Sequence, residues 1–509
     1  MTRIFGNPGS NELPFLFDLP ESIEYVLGLH EGVVVGMADG WSQVTGRVGF
    51  CNLHAASGTG NAMGALTNAR YSRTPLVITA GQQVRSVIGV QGMLANIDAP
   101  SLARPLVDWA MEPSCPQDVP RALAEALFTA EAQRTPTYLS VPYDDWDEAA
   151  DDNTVHLTGR RLDVADTPDH TQLSTVVDAI TQAERPALVL GGDIDAAGSF
   201  SIAVAAAEAV DCPVWAAPSL FRLPFPNRHR LFRGVLPAGV APIGEALAEH
   251  DVVAVLGAPI FRYHRHVPGT MLAAGTRILQ VTTDVSAAAR APMGETLVAD
   301  PGAVLAALAA RGRPEPSEYI ACPDPTTTGG KTHPEEVFAV LRRRNPADAV
   351  YVVESTSTNS SFWNQMDLRH PGSYFFPASG GLGFGLPAAV GVALGHRDLG
   401  TGRRVTAVIG DGSANYALPA LWSAVQLDVD LDIVILRNNT YGALRWFADL
   451  LDVGEVPGMD IPGIDFTGIA QGYGLPATHL PDAAALDDAW SVRDSGPRLF
   501  QIDTALTQP

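Results

Sequence analysis

The sequence has 509 residues, with 33 lysines and arginines against 56 aspartates and glutamates and a formal net charge of −23. Such a charge repels nucleic acids and anionic membranes, so we expect neither as a partner. Apolar residues make up 46% and charged residues 17% of the chain, which indicates a globular protein. No apolar run reaches membrane-spanning length, and the four cysteines show no paired spacing, so we expect a cytoplasmic protein in a reducing compartment.

Length and pattern together predict three α/β domains of similar size. We expect these domains at residues 1–150, 173–315 and 334–509. The polar stretch 146–172 and the Pro- and Thr-rich stretch 313–333 are predicted to be linkers between them. Short apolar runs alternate with helical segments, a pattern typical of doubly wound parallel sheets. Strands are predicted at 48–53, 76–80, 137–141, 187–190, 252–256 and 277–281.

Three polar side chains of the first domain are candidates for a site. Glu31 stands among apolar residues, where burial would be costly without a partner, although it could also be a surface residue at a helix start. Ser10 lies in a sharp loop rich in Gly, Asn and Pro, and His54 follows a predicted strand. Sites in α/β proteins form at such strand ends, although a lone histidine can also be purely structural.

The third domain contains two apolar strands that lead into polar turns. The strand 405–409 runs into Gly-Asp-Gly, the strand 431–436 delivers Asn438, and a helix is predicted between them at 415–427. Because ligands lie at the carboxyl ends of parallel strands, Asp411 and Asn438 should face one another. A carboxylate, an amide oxygen and a backbone carbonyl suit Mg²⁺ that holds a diphosphate. The Gly-Asp-Gly motif alone could equally be an Asp-capped turn.

The spacing of these turns matches a cofactor signature. Gly-Asp-Gly, a spacer of 25 residues at 413–437 and Asn-Asn together resemble the thiamin diphosphate motif. Nearly the whole chain resembles the benzoylformate decarboxylase family of thiamin diphosphate-dependent 2-oxo acid decarboxylases. The stretches that carry this resemblance are FGNPGSNELPF (5–15), GTGNAMGAL (58–66), SVPYDDWD (140–147), FRYH (261–264), ARAPMG (289–294), GDGSANY (410–416), TYGALRWF (440–447) and PGIDF (462–466).

The resemblance implies a site for thiamin diphosphate and Mg²⁺. The metal ligands would be Asp411, Asn438 and the Thr440 carbonyl. The residues around the diphosphate would be Gly412, Ser413, Tyr441, Thr356 and Ser357. Glu31 would bond the pyrimidine ring of the cofactor, and the Gly380 carbonyl would accept from the pyrimidine amine. Leu382 would press under the cofactor and enforce a bent shape, a role that the resemblance alone supports.

The resemblance also implies how the substrate is handled. Ser10 would bind the substrate carboxylate, while His54 and His264 would transfer protons, for which imidazole is suited near neutral pH. Leu444 and Phe447 would form a wall against an aryl ring, although their i, i+3 spacing also fits ordinary core packing. The implied reaction is non-oxidative decarboxylation of an aromatic 2-oxo acid, benzoylformate to benzaldehyde and CO₂, through a thiamin ylide and an enamine.

Self-association is a further implication of the resemblance. Each active site would form between the first domain of one subunit and the third domain of another, so we expect at least a dimer and, as the full assembly, a homotetramer. The family has a helix before the first strand, whereas this sequence is predicted to enter that strand within residues 1–5. We therefore expect either that a helix precedes Met1 or that the first strand is less well covered by helices.

Three other functions fit parts of the sequence. A carboligase of the acetolactate synthase type, or a flavin-containing relative, would share the cofactor motif, and a yellow protein would indicate the flavin. A nicotinamide-dependent oxidoreductase would use the glycines at 58–64, although no acidic residue ends the next strand at the required distance. A non-catalytic paralogue would bind the cofactor without turnover, against which the presence of Glu31, His54, His264 and Asp411 speaks.

Overall fold

A computed structural model describes residues 2–264, 267–312, 317–492 and 495–508, which form three six-stranded parallel sheets flanked by helices. The strands of the first unit are β1 (Arg3–Gly6), β2 (Glu24–Leu27), β3 (Gly49–Leu53), β4 (Leu76–Gln82), β5 (Trp109–Met111) and β6 (Pro136–Pro142). Its helices are α1 (Leu13–Phe17), α2 (Glu31–Thr45), α3 (Ala55–Tyr71), α4 (Arg85–Ile88), α5 (Ala99–Ala103) and α6 (Val119–Gln133). The strand order in the sheet is β2-β1-β3-β4-β6-β5.

The second unit repeats this plan with its own sheet. Its strands are β7 (Pro186–Leu190), β8 (Val214–Ala216), β9 (Phe232–Val235), β10 (Val252–Leu256), β11 (Arg277–Thr282) and β12 (Glu295–Val298). Its helices are α7 (His170–Thr181), α8 (Gly192–Ala196), α9 (Phe200–Ala209), α10 (Val240–Leu247), α11 (Val285–Ala289) and α12 (Pro301–Ala309). The strand order is β12-β11-β10-β7-β8-β9, so the chain changes direction in the sheet between β7 and β10.

The third unit completes the chain. Its strands are β13 (Val350–Glu354), β14 (Tyr374–Phe375), β15 (Val405–Gly410), β16 (Leu431–Arg437), β17 (Ala477–Leu480) and β18 (Arg498–Asp503), in the order β14-β13-β15-β16-β18-β17. Its helices are α13 (Pro334–Arg344), α14 (Asn359–Gln365), α15 (Gly385–Asp398), α16 (Asp411–Ala414), α17 (Ala420–Gln426), α18 (Gly442–Leu450), α19 (Phe466–Gly472) and α20 (Ala483–Ser491).

The predicted fold class is confirmed, since every unit is a parallel sheet whose consecutive strands are joined through helices in the described residues, except β8 with β9 and β10 with β11. Helices cover both faces of such sheets, so central strands such as β10 are apolar and buried along their whole length. The helix predicted over 415–427 is wrong in its first part. Residues 415–419 form turns and α17 starts only at Ala420, because Pro419 has no N–H to continue a helical hydrogen-bond ladder.

The predicted domain limits stay a prediction. The first linker contains a 3₁₀ turn at Asp152–Leu157 and then residues without regular secondary structure up to α7, which begins inside the predicted linker at His170. The start of the second linker, 313–316, and with it the predicted domain end at 315, lies outside the described residues, as does Met1 of the first strand. No helix within the described ranges is long and apolar enough to cross a bilayer.

Helices α2 and α15 join the first and third units by close backbone contact. A Cβ at Gly40 of α2 would lie 2.2 Å from the Ala388 carbonyl oxygen, and a Cβ at Gly391 of α15 would lie 2.0 Å from the Met37 carbonyl oxygen. Only glycine permits this approach, since any side chain would push the helices apart. The helix that begins at Glu31 therefore packs directly on the helix that follows the loop 380–384.

Arg222 connects all three units. This buried side chain donates from Nε to Asp195 Oδ2 at 2.7 Å within the second unit and from Nη1 to the Gln43 carbonyl of the first unit at 2.6 Å. Asp195 Oδ1 in turn accepts from the Gly372 N–H of the third unit at 2.8 Å. The guanidinium also lies over the Phe375 ring, with its carbon 4.9 Å from the ring centroid. One buried ion pair thus makes hydrogen bonds to all three units.

Candidate active site

Glu31 is a buried carboxylate at the start of α2. His30 caps this helix by accepting from the Gly32 N–H at 3.0 Å, and an acidic residue in the first turn suits the helix dipole. The Glu31 side chain is only 7% exposed and accepts from Asn7 Nδ2 at 3.2 Å and Asn61 Nδ2 at 3.0 Å. The alternative of an ordinary surface glutamate is therefore wrong.

His54 is held by a second buried carboxylate, Glu12. His54 Nδ1 lies 2.8 Å from Glu12 Oε2, which also accepts from the Gly9 N–H at 2.9 Å, while Glu12 Oε1 accepts from the Gly81 N–H at 2.9 Å. A Cβ at Gly9 would lie 2.0 Å from His54 Nδ1, so the loop packs directly on the imidazole. Because Nδ1 is engaged, Nε2 is the ring nitrogen left for other chemistry.

Ser10 lies in the same loop and is exposed, with its Oγ bonded to Asn11 Oδ1 at 3.3 Å. We call Ser10, Glu12, Glu31 and His54 the first-unit cluster. The sequence interpretation missed Glu12 as well as the amides of Asn7 and Asn61. The signal was present, because a glutamate in a loop of turn-forming residues needs a partner if the loop is buried.

Asp411 and Asn438 face one another at the ends of β15 and β16, as predicted. Asp411 Oδ2 accepts from the backbone N–H groups of Asn438 at 3.0 Å and Asn439 at 2.6 Å, and Oδ1 accepts from the Gly412 N–H at 2.9 Å. Burial raises the pKa of the Asp411 carboxyl, and these N–H groups offset part of that rise. A cation beside the carboxylate would favour its ionised form.

The other predicted metal ligands lie in the following turn. Asn438 Oδ1 accepts from the Thr440 N–H at 3.0 Å, and the Thr440 carbonyl accepts from the Gly442 N–H at 3.0 Å. Each oxygen retains a lone pair for a further partner. The described residues contain no group of three His, Cys, Asp or Glu side chains able to hold a metal. One carboxylate with an amide and a carbonyl is instead an oxygen set suited to Mg²⁺ that keeps phosphate and water ligands.

The surroundings of this turn fit a diphosphate. Gly412 provides a close approach, because a Cβ there would lie 2.7 Å from Cε1 of the Tyr441 ring. Ser357 is buried, and its Oγ lies 3.5 Å from Asn438 Nδ2. Within the described residues, neither the Thr356 nor the Ser413 hydroxyl makes a side-chain hydrogen bond, so both are available as donors to phosphate oxygens.

The loop 380–384 is shaped by a carboxylate that the sequence interpretation missed. Glu354 at the end of β13 is fully buried and accepts from the N–H groups of Gly383, at 2.6 Å, and Gly385. Burial raises the pKa of Glu354 to about 8, although these N–H groups favour the ionised form. Gly380 adopts a left-handed φ of 77° and is exposed, and Leu382 is half-buried beside it. Gly380 and Leu382 therefore lie on a loop that the buried Glu354 carboxylate holds in place.

His264 of the second unit meets α18 of the third. Its ring lies edge-on to the Phe447 ring, with the centroids 4.8 Å apart. Leu444, one turn before Phe447, is 49% exposed, so the alternative that it is a core leucine is wrong. We call Asp411, Asn438, Thr440, Phe447 and His264 the third-unit cluster. Among the described residues, no hydrogen bond, ion pair or ring contact joins this cluster to the first-unit cluster.

Comparisons with known proteins identify the family. Residues 1–102 match the N-terminal TPP binding domain of thiamine pyrophosphate enzymes, residues 173–308 their central domain and residues 355–499 their C-terminal TPP binding domain. A benzoylformate decarboxylase of Pseudomonas aeruginosa is 52% identical over 100% of this chain and 97% of its own length. The chain belongs to the benzoylformate decarboxylase family. Thiamine pyrophosphate is thiamin diphosphate, so the predicted cofactor is confirmed, together with the Mg²⁺ that these enzymes use.

Solved structures agree with this membership. A thiamine diphosphate-dependent 4-hydroxybenzoylformate decarboxylase of Rhodococcus jostii RHA1 is 50% identical, with a TM-score of 0.96 and coverage of 100% of this chain and 97% of that one. A benzoylformate decarboxylase of Polynucleobacter necessarius is 34% identical, with a TM-score of 0.95 and the same coverage. This member of the benzoylformate decarboxylase family is therefore a thiamin diphosphate-dependent decarboxylase. These matches exclude the nicotinamide-dependent alternative and the non-catalytic one.

Proposed function

We propose that the chain decarboxylates benzoylformate to benzaldehyde and CO₂. The observation that supports this substrate is the contact between His264 and Phe447 beside the exposed Leu444. An aromatic ring placed against Leu444 and Phe447 would bury apolar surface, while the imidazole would stay within reach of the reacting carbon. A methyl group, as in pyruvate, would leave most of that apolar surface in water.

The cofactor would be held by the third-unit cluster and the loops around it. Asp411, Asn438 and the Thr440 carbonyl would bind Mg²⁺. The diphosphate would lie among Gly412, Ser413, Tyr441, Thr356 and Ser357. The Gly380 carbonyl and Leu382 would contact the rings of the cofactor, and the Glu31 carboxyl would form a hydrogen bond with the pyrimidine N1′. When bound, thiamin diphosphate supplies the carbon nucleophile and the electron sink for loss of CO₂.

The remaining polar residues would serve the substrate. Ser10 is exposed at the edge of its loop, where its hydroxyl can donate to the substrate carboxylate. His54, oriented through Nδ1 by Glu12, would hold or deliver a proton at Nε2. His264, packed against Phe447, would deliver a proton at the product stage.

A second copy of the chain would complete each site, which makes a dimer the minimum and a homotetramer the proposed assembly. Glu31 and Asp411 must both reach one cofactor, yet no described contact joins their clusters within one chain. The first-unit cluster of one subunit would therefore face the third-unit cluster of another. Four free cysteines fit the predicted cytoplasmic location.

The test is CO₂ release by the purified protein with thiamin diphosphate and Mg²⁺. The panel should contain benzoylformate, 4-hydroxybenzoylformate and pyruvate. We expect kcat/KM for benzoylformate to exceed that for pyruvate by roughly tenfold to a hundredfold, the effect of burying an aryl ring. Equal kcat/KM for these two acids would contradict the proposal, and a preference for the hydroxylated acid would correct the substrate.

The product formed from pyruvate distinguishes the proposed decarboxylase from a carboligase. An acetolactate synthase would convert pyruvate to acetolactate without net aldehyde release. Gas chromatography of the pyruvate reaction should find little acetolactate if the proposal holds. Absence of a flavin absorption band in the purified protein would exclude the flavin-containing variant of this alternative.

A further inference from the structure

The turn that follows β16 and carries two of the proposed metal ligands is covered by residues 459–461 of the same unit. The Tyr441 N–H donates to the Met459 carbonyl at 2.8 Å, and the Ile461 N–H donates to the Asn439 carbonyl at 3.0 Å. We call the covered turn the metal turn and the covering segment the strap. Backbone hydrogen bonds in both directions thus join the metal turn and the strap into one small unit.

Thr440 lies at the centre of this unit and is held from two sides. Its Oγ1 donates to the Met459 carbonyl at 2.8 Å and accepts from Arg445 Nε at 2.7 Å. Thr440 also pairs with Asp460 in an antiparallel bridge, and it is buried. Contacts just outside a metal site orient its ligands, and the Thr440 carbonyl is a proposed ligand. The hydroxyl of Thr440 therefore links the orientation of that carbonyl to Arg445 and the strap.

Arg445 brings the helix α18 into the same arrangement. Its Nη2 donates to Asp460 Oδ1 of the strap at 2.5 Å, while its Nε donates to Thr440 of the metal turn. The planar guanidinium holds its donors in a fixed geometry, so one side chain sets the distance between three segments. Arg445 is 40% exposed, so we expect this ion pair to act through geometry more than through its strength.

The position of α18 depends on few other contacts within the chain. Gly442, at the start of the helix, is its only buried residue. Leu444 and Phe447, which flank Arg445 in the sequence, are the residues proposed to contact the aryl ring of the substrate. A shift of Arg445 would therefore move both side chains relative to the metal turn.

We propose, on the basis of the metal and substrate assignments made above, that Arg445 is a positioning residue that couples the metal turn to α18. Mg²⁺ bound at the Thr440 carbonyl would hold the turn, and the turn would hold Arg445 through the Thr440 hydroxyl and Asp460. Binding of the metal and cofactor would thus set the position of the wall formed by Leu444 and Phe447. By linkage, a ligand that favours this position of α18 would strengthen Mg²⁺ binding by the same factor.

The test uses fluorine NMR of the full-length protein labelled with 5-fluorotryptophan. Trp446 follows Arg445 on α18, and its signal is assigned by its loss in Trp446→Phe. Spectra are recorded after removal of metal with a chelator and again with saturating thiamin diphosphate and Mg²⁺. Arg445→Met and Asp460→Asn are compared with Arg369→Met. Arg369 is 42% exposed and pairs with Asp367, so it is the matched control.

We expect the Trp446 signal of the wild type and of the control to shift when cofactor and metal bind. Arg445→Met should lose most of this shift at saturation and need roughly threefold to tenfold more Mg²⁺ for half-saturation, since it loses two hydrogen bonds of a charged group. Asp460→Asn should change both quantities in the same direction by less. Asp460 is exposed, so this variant decides the matter if Arg445→Met fails to fold.

The proposal is overturned if the Trp446 signal of the wild type does not respond to cofactor and metal. It is also overturned if the folded Arg445 and Asp460 variants both show the wild-type shift at saturation. No substrate is present, so the result does not depend on which 2-oxo acid the enzyme accepts. Failure to turn over benzoylformate, together with a shift that requires Arg445, would contradict the proposed substrate and support the coupling.

Discussion

Glu12 Oε2 lies 2.8 Å from His54 Nδ1, and the N–H groups of Gly9 in the same loop and of Gly81 in β4 complete the carboxylate's hydrogen bonds. This arrangement fixes the orientation of the imidazole and leaves Nε2 as its free ring nitrogen. Glu12, for which the sequence predicted no role, thus positions His54, for which it predicted a catalytic role.

Replacement of Glu12 should therefore impair catalysis without removing the histidine. We expect Glu12→Gln to lower kcat/KM for benzoylformate by at least about tenfold, because an amide has only one acceptor oxygen and cannot keep all three contacts that position the imidazole. Steady-state kinetics with a circular dichroism check would measure this. Glu131→Gln, at an exposed position of α6, is the matched control. Equal kcat/KM for Glu12→Gln and the control would remove Glu12 from this role.

Asp411 should be required for the metal in addition to holding the turn through its N–H contacts. We expect Asp411→Asn to weaken the apparent Mg²⁺ affinity roughly a hundredfold, because the amide loses the charge that a hard cation needs. After bound metal is removed with a chelator, Mg²⁺ is titrated back into the protein. Enzyme activity and the quenching of protein fluorescence by thiamin diphosphate would both report the change in affinity. Asp449→Asn, at an exposed carboxylate of α18, should leave the titration unchanged. Unaltered Mg²⁺ dependence of Asp411→Asn would contradict the metal assignment.

Glu354 should make stability depend on pH. Its folded-state pKa of about 8 lies above the ordinary value of 4.5, so the stabilisation is present below pH 4.5 and is lost as pH rises through 8. We expect the melting temperature of the wild type to fall more steeply between these values than that of Glu354→Gln. Glu336→Gln, which preserves the helix cap of α13, should keep the wild-type slope. Parallel curves for all three proteins would refute the prediction.

Substrate choice should depend on α18. We expect Phe447→Ala to reduce the preference for benzoylformate over pyruvate, and Leu444→Ala to shift activity toward bulkier 2-oxo acids, each by roughly tenfold. Leu451→Ala, at an exposed leucine just beyond the helix, is the control. Competition assays that measure kcat/KM ratios are the direct test. If neither α18 variant changes the ratio, these residues do not line the substrate site.

Local patterns in the sequence predicted the sheets and the Asp411–Asn438 pairing, because apolar runs and turn residues act over short distances. The break before α17 was missed although Pro419 signalled it. Contacts between segments that are far apart in the sequence were harder to predict. The approach of His264 to Phe447 depends on how the second and third units pack, and no spacing encodes it. Glu354 was hidden for a different reason, since a strand-end glutamate reveals its N–H partners only after the loop is folded.

Arg222 and Asp195 have a consequence for how the molecule comes apart. Separating any one unit from the others would expose or strand a buried charge, which costs several kcal/mol when one partner of such a pair is lost. The three sheets should therefore melt as one cooperative unit rather than in succession. Scanning calorimetry of Arg222→Met should split a single heat-absorption peak into more than one, even though every sheet keeps its own apolar core. An unsplit peak in this variant would show that other contacts between the units, such as Arg73 with Asp193 and Asn227 with the Met366 carbonyl, maintain cooperativity.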